Sequence, residues 1–307
     1  MAVIAIGDAL GAGFDLIRRR PLAVLAWGAV QTAFTAGYMA AIAPFYLIIF
    51  GQFAAGAARG ETPSTQTLAQ MMQFEGLSFL LSFASLFVSI VLSCAVFRAV
   101  LHPEQRSFGY LRIGAAELFL LLLVIGAYVV FFIAVLVLAI PIAIVAAIGI
   151  ASHAAGVGIL LAVVVSIGAV VAIGYVALRV SLVGPMTVDQ GGFRLFDAWK
   201  LAKGHVGSLF LIGLCLAVLA IVLAIVLEVV LVAVGVGVLG AAAGGLGNLP
   251  TFFKQPLNAI LPTLAPMLAV MALVFIPYAG CLMAIWAAPW ARAYRDLTGP
   301  DLAATFS

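Results

Sequence analysis

Residues 194–230 read RLFDAWKLAKGHVGSLFLIGLCLAVLAIVLAIVLEVV, and two kinds of helix run into one another within them. The first part is short, basic and aromatic. Phe193, Phe196 and Trp199 recur every three residues, with Lys200 and Lys203 beside them. The second part, from about Gly207, is apolar for longer than the ~20 residues needed to cross a bilayer. Only Glu228 interrupts it. A surface-lying helix feeding a spanning helix is therefore the expected unit, and the rest of the chain is read for copies of it.

Hydrophobic residues make up 66% of the 307 and charged residues 8%, with a mean hydropathy of +1.31. A soluble domain needs far more polar surface, so the chain is read as an all-α, multi-span membrane protein. Charge-free runs cover 21–58, 76–97, 118–178, 204–227, 229–253 and 255–291. The run 118–178 is long enough to cross twice. Six spans result, at about 21–43, 76–100, 117–141, 158–183, 207–234 and 263–290. No soluble extension of domain size is left, so 1–307 is expected to be a single membrane domain. No cleavable leader is expected, because Asp8 and Asp15 break the first apolar stretch.

Residues 3–19 carry a stripe of Val3, Ile6, Leu10, Phe14 and Ile17 at helical spacing, with Arg18, Arg19 and Arg20 following. Such a helix lies in the headgroup layer. A weaker amphipathic piece is expected at Phe108, Tyr110, Leu111 and Arg112. Residues 51–75 read as an exposed loop, and Ser152–Gly156 as an uncharged turn. Gly158, Ala162, Ser166 and Ala169 suit close helix approach, which predicts that the fourth span is central. Pro44, Pro141 and Pro277 predict kinks or stops.

With Phe14, Tyr110 and Trp199 in register, each long span begins about seven residues later, and Pro44, Pro141 and Val229 fall within one position of each other. The expected organisation is three parallel pseudo-repeats, about 1–101, 102–185 and 186–307. Each would consist of an interfacial helix and two spans, related by an axis along the membrane normal.

Twelve of the fourteen basic side chains fall on the side of the two termini, including Arg106, and only Arg59 and Lys254 fall opposite. That bias predicts cytoplasmic N and C termini. The same residues are candidates for holding anionic phospholipid: Arg18, Arg19, Arg20, Arg98, Arg179, Lys200, Lys203 and Arg292. Arg98, Arg179 and Arg292 each end an even-numbered span, so a ring of arginines is expected.

Two stretches, DALGAGFDLIRRRPLAVLAWG (8–28) and ALRVSLVGPMTVDQGGFRLFDAWKLAKGHVGSLFLIG (177–213), resemble a broad group of bacterial multi-span proteins. The group includes the membrane region attached to some glycerophosphodiester phosphodiesterases and stand-alone relatives. The resemblance implies a bacterial inner membrane. The metal-binding carboxylates of a phosphodiesterase barrel have no counterpart here, so that activity is not implied.

Catalytic constellations are sparse in the text. His102, His153 and His205 are scattered, Glu61 and Glu75 have no partner histidine nearby, and Cys94, Cys215 and Cys281 lie singly in apolar segments. The glycines of 235–247 lack a following lysine, so no phosphate loop is read there. No catalytic residue, metal site, cofactor or nucleic-acid partner is expected. Glu228 has two readings: an acid at the outer edge of the hydrocarbon, or a buried intramembrane acid. The expected role is a non-catalytic module that binds membrane lipids or a membrane-protein partner. The alternative is a permease for an apolar or amphiphilic solute, proton-coupled through Glu228. Facing Ser166, Tyr175 or Tyr278 across a cavity would favour the alternative. Oligomeric state is not readable from these residues.

Overall fold

A computed structural model describes residues 4–59, 65–104, 108–151, 155–242, 244–248 and 257–302, and every regular element among them is helical. In order these are α1 (Ile6–Arg19), α2 (Pro21–Arg59), α3 (Thr65–Leu101), a 3₁₀ turn (Phe108–Tyr110), α4 (Ala115–Ala151) and α5 (Ala155–Val180). Then follow α6 (Val183–Gln190), α7 (Leu195–Leu201), α8 (Val206–Ala242), a second 3₁₀ turn (Leu246–Asn248) and α9 (Leu257–Leu302). Among the described residues, α2, α3, α4, α5, α8 and α9 are long and apolar enough to cross a membrane. The chain is a multi-pass membrane protein. Arg106, Glu61, His153 and Lys254 lie outside the described residues.

The spans outrun their expected ends. Helix α2 has 39 residues, about 58 Å at ~1.5 Å per residue, and it runs through Pro44 to Arg59. Most of the stretch 51–75, expected as a loop, is helix at both ends. It is polar but rich in alanine, and alanine is the strongest helix former. Helices α4 and α9 likewise continue through Pro141 and Pro277, and α9 departs from helical angles only at Gly299.

The helices pair as three consecutive antiparallel hairpins: α2 with α3, α4 with α5, and α8 with α9. Their lead-in segments differ. The first hairpin is preceded by a fourteen-residue helix and the third by α6 and α7, of eight and seven residues. Before α4, among the described residues, there is only the 3₁₀ turn, where an amphipathic helix was expected. Gly109 and Tyr110 both adopt φ of 61° there, a left-handed conformation that ends any helix. The expected boundary at residue 185 falls inside α6, which starts where the fourth span was expected to end.

The fourth span is not central. The most apolar stretch of α5 contains no buried residue, and Ser166 is exposed. The central helix is α9, which touches α1, α2, α3, α6 and α8. Its alanines Ala284, Ala287, Ala288 and Ala291 are buried. At its crossing with α2, a Cβ added to Gly28 would lie 1.9 Å from the Ile276 carbonyl oxygen. One added to Gly280 would lie 2.1 Å from that of Val24. The two backbones meet because neither residue has a side chain, as is usual where membrane helices pack.

Helix α1 also docks on α9. Ala9, Gly13 and Leu16 are its buried face, and a Cβ on Gly13 would come within 2.7 Å of the Ile285 backbone. Phe14, from the expected apolar stripe, is exposed instead. Nearly all buried side chains sit toward one end of the bundle: Val24 and Trp27 of α2, Ile90 to Ala99 of α3, Leu209 to Leu216 of α8, and Ala279 to Leu297 of α9. Even-numbered crossing brings α1 and the last turns of α9 to this same end. Away from it the helices present apolar faces outward, as solvation by lipid tails allows.

Candidate functional site

The polar end is organised around Arg98 in the last turn of α3. The residue is 9% exposed, and its guanidinium pairs with Glu117, which is buried. It also donates to the carbonyls of Tyr110 (3.4 Å) and Arg112 (3.3 Å). Glu117 opens α4 and accepts from the Gly114 N–H at 3.0 Å, so it caps its own helix from the third position while paired to α3. The Trp27 indole donates to the Gly109 carbonyl at 2.7 Å, and the Tyr110 hydroxyl to Pro103 at 3.1 Å. The 3₁₀ turn is thereby held from α2 and α3 together, in a backbone conformation that a lone tyrosine avoids.

A second polar group lies alongside. His102 Nε2 stands 3.2 Å from Asp189 Oδ1 at the end of α6, and its Nδ1 stands 3.5 Å from Glu104 Oε1. Tyr294 of α9 donates to Asp189 Oδ2 at 2.8 Å and accepts from the Gln190 amide at 3.0 Å. Between the two groups is a cleft of about 290 Å³, walled by Arg98, His102, Arg112, Glu117, Val188 and Asp189. The buried Cys94 lies beside Glu117 on the core side.

This cluster escapes a linear reading. His102 and Asp189 are far apart in the chain, and α6 was not expected as a separate helix. Glu117 carried a signal: an acid in the first turn of an otherwise apolar span needs a cation nearby, and Arg98 ends the preceding span.

The eight candidate cations divide in two. Arg98 is buried in its ion pair, so it is not a headgroup ligand on the rim. Arg179 is also committed. It donates to Tyr175 Oη (3.0 and 2.9 Å) and to the Trp199 carbonyl (2.9 Å), and it stacks over both rings at 5.3 and 4.9 Å. That clamp fastens α7 to α5. Arg292 faces Asp296 one turn along α9 at 3.1 Å, and Arg20 reaches the Pro103 carbonyl at 3.4 Å. The three arginines of the expected ring are therefore not free: Arg98 and Arg179 serve contacts between elements, and Arg292 faces Asp296 within its own helix.

Arg18, Arg19, Lys200 and Lys203 remain at the surface. Arg19 has only a loose contact with Asp15, at 3.9 Å between exposed side chains. Among the described residues the other three have no ion-pair partner.

Glu228 is exposed on α8 among exposed Val226, Val229 and Val230. It stands 22 residues beyond Val206, about 33 Å along the helix at ~1.5 Å per residue. It is not enclosed between helices with Ser166, Tyr175 or Tyr278.

What the polar end can do chemically follows from its bonding. Both nitrogens of His102 face carboxylates, and both oxygens of Asp189 and of Glu117 are engaged. These groups hold one another in place. Among the described residues no cluster of metal-ligating side chains forms. Searches against protein-family models, curated proteins and solved structures find no match to the chain.

Proposed function

We propose that this chain is a non-catalytic module of a bacterial inner membrane whose polar end faces the cytoplasm and holds anionic phospholipid. One observation carries the reading: Arg18, Arg19, Lys200 and Lys203 stay exposed at that end while the other basic candidates are taken up by fold contacts. Arg18 and Arg19 lie in the last turn of α1, with exposed Phe14, and Lys200 in that of α7, with Lys203 just beyond and exposed Phe193 and Phe196 nearby in the chain. Aromatic side chains enter the acyl boundary while the cations meet phosphate. Each such cation contributes about 1 kcal/mol at an anionic surface. The bias of basic residues toward this end supports its cytoplasmic orientation. The permease reading needs a buried acid on a polar path, and the exposure of Glu228 gives it no support.

The test is native mass spectrometry of protein extracted from bilayers containing phosphatidylglycerol. The Arg18→Gln/Arg19→Gln/Lys200→Gln/Lys203→Gln variant should retain fewer phosphatidylglycerol adducts than the parent chain, with a difference that shrinks as salt is raised. Equal adduct numbers at low salt would refute the reading.

A further inference from the structure

The cleft beside Arg98 has a charge pattern that the rim does not share. Arg98 spends its charge on Glu117. On the same wall Arg112 is exposed and, among the described residues, unpaired, with only its backbone carbonyl engaged. The backbone N–H groups of Ala115 and Ala116 open α4 beside it without an intrahelical acceptor. On the opposite wall the Asp189 side chain is 31% exposed. Its neighbours are a neutral tyrosine hydroxyl and His102, and the same imidazole also faces Glu104. One wall offers an uncompensated cation with free donors. The other offers Asp189, a carboxylate whose histidine partner is shared with Glu104 outside the lining.

We propose that this cleft binds a phosphoammonium group, a phosphate joined by a short link to a primary amine. The phosphate oxygens meet the Arg112 guanidinium, a charge-assisted and geometrically matched pair. The ammonium donates to Asp189, the partly exposed carboxylate of the lining. A purely anionic ligand would leave the carboxylate wall unmatched, and a purely cationic one would leave Arg112 unmatched. The amine is primary because carboxylates need N–H donors. A quaternary ammonium would instead need aromatic faces, and among the described residues no aromatic ring lines the cleft.

At about 290 Å³ the space lies at the lower limit of ordinary small-molecule pockets. It suits a headgroup more than a larger metabolite. Two sources carry this chemistry, phosphatidylethanolamine and soluble phosphoethanolamine. The exposed Ile113, just before α4, and Leu118 and Leu122 within it give an acyl chain a surface to follow away from the cleft.

This inference stands apart from the anionic rim, and the experiment separates them. The full chain is reconstituted with equal fractions of phosphatidylethanolamine, phosphatidylglycerol and phosphatidylcholine, extracted gently, and the retained lipid is weighed by native mass spectrometry. One phosphatidylethanolamine should be retained in preference to phosphatidylcholine. Retention should fall about tenfold or more in Arg112→Gln, the size of a lost charged hydrogen bond, and should also fall in Asp189→Asn. It should be unchanged in Lys200→Gln/Lys203→Gln. Because Arg112 is exposed and its carbonyl contact survives substitution, that variant keeps the fold.

Soluble phosphoethanolamine is titrated calorimetrically in a second arm. Heat lost in Arg112→Gln, with no lipid retained, would assign the same site to a soluble ligand. Equal retention of phosphatidylcholine, or undiminished phosphatidylethanolamine in Arg112→Gln, would overturn the proposal, as would no binding in either arm.

Discussion

Arg98 and Glu117 illustrate how a residue's role depends on its partner. Each alone would be an expensive charge among apolar helices. Together, with the Gly114 N–H and two carbonyls completing their hydrogen bonds, they fasten α3, the 3₁₀ turn and α4 into one unit. Removing one member strands the other, which costs about 3–5 kcal/mol, while replacing both by apolar groups is close to neutral. Glu117→Ala and Arg98→Ala should each lower the melting temperature in detergent sharply, and Arg98→Met/Glu117→Leu should recover most of the loss. Equal destabilisation by single and double variants would show that the pair is not the fastening. The basic character of Arg98 was legible in the sequence, but its burial was not. Twelve basic residues at one end look alike in the text, and only the fold separates Arg179, stacked between Tyr175 and Trp199, from Lys200 on the open surface.

The spans themselves were readable because hydropathy is a property of each residue in turn. Helix α4 ends at Ala151 and α5 begins at Ala155, next to the expected uncharged break, and the third and fifth spans begin within two residues of their expected starts. Contacts between elements were less readable. Small residues on α5 suggested a central helix, yet such residues permit close approach without requiring it, and α5 lies outside while the alanines of α9 are buried. The decisive positions are Gly28 and Gly280. Gly28→Ala or Gly280→Ala forces α2 and α9 apart and should destabilise the protein by about 1–3 kcal/mol or more, the usual scale of overpacking. Gly37→Ala and Gly126→Ala meet nothing within 4 Å and should be neutral or slightly stabilising, since alanine favours helix by up to about 1 kcal/mol over glycine. Thermal melting of the four variants side by side checks this, and similar losses in all of them would refute the crossing.

At the scale of the whole molecule, three hairpins are gathered at one polar end and present lipid-facing apolar surface elsewhere. Both proposed binding surfaces, the rim cations and the Arg112 cleft, belong to that end. So do α1, α6 and α7. Glu104, between the first and second hairpins, must therefore lie on the same membrane face as Arg194, between the second and third. The direct measurement is labelling of Glu104→Cys and Arg194→Cys, in a background lacking Cys94, Cys215 and Cys281, with a membrane-impermeant maleimide applied to right-side-out and to inverted vesicles. The account predicts that both react only in inverted vesicles. Reaction of the two from opposite faces would contradict it.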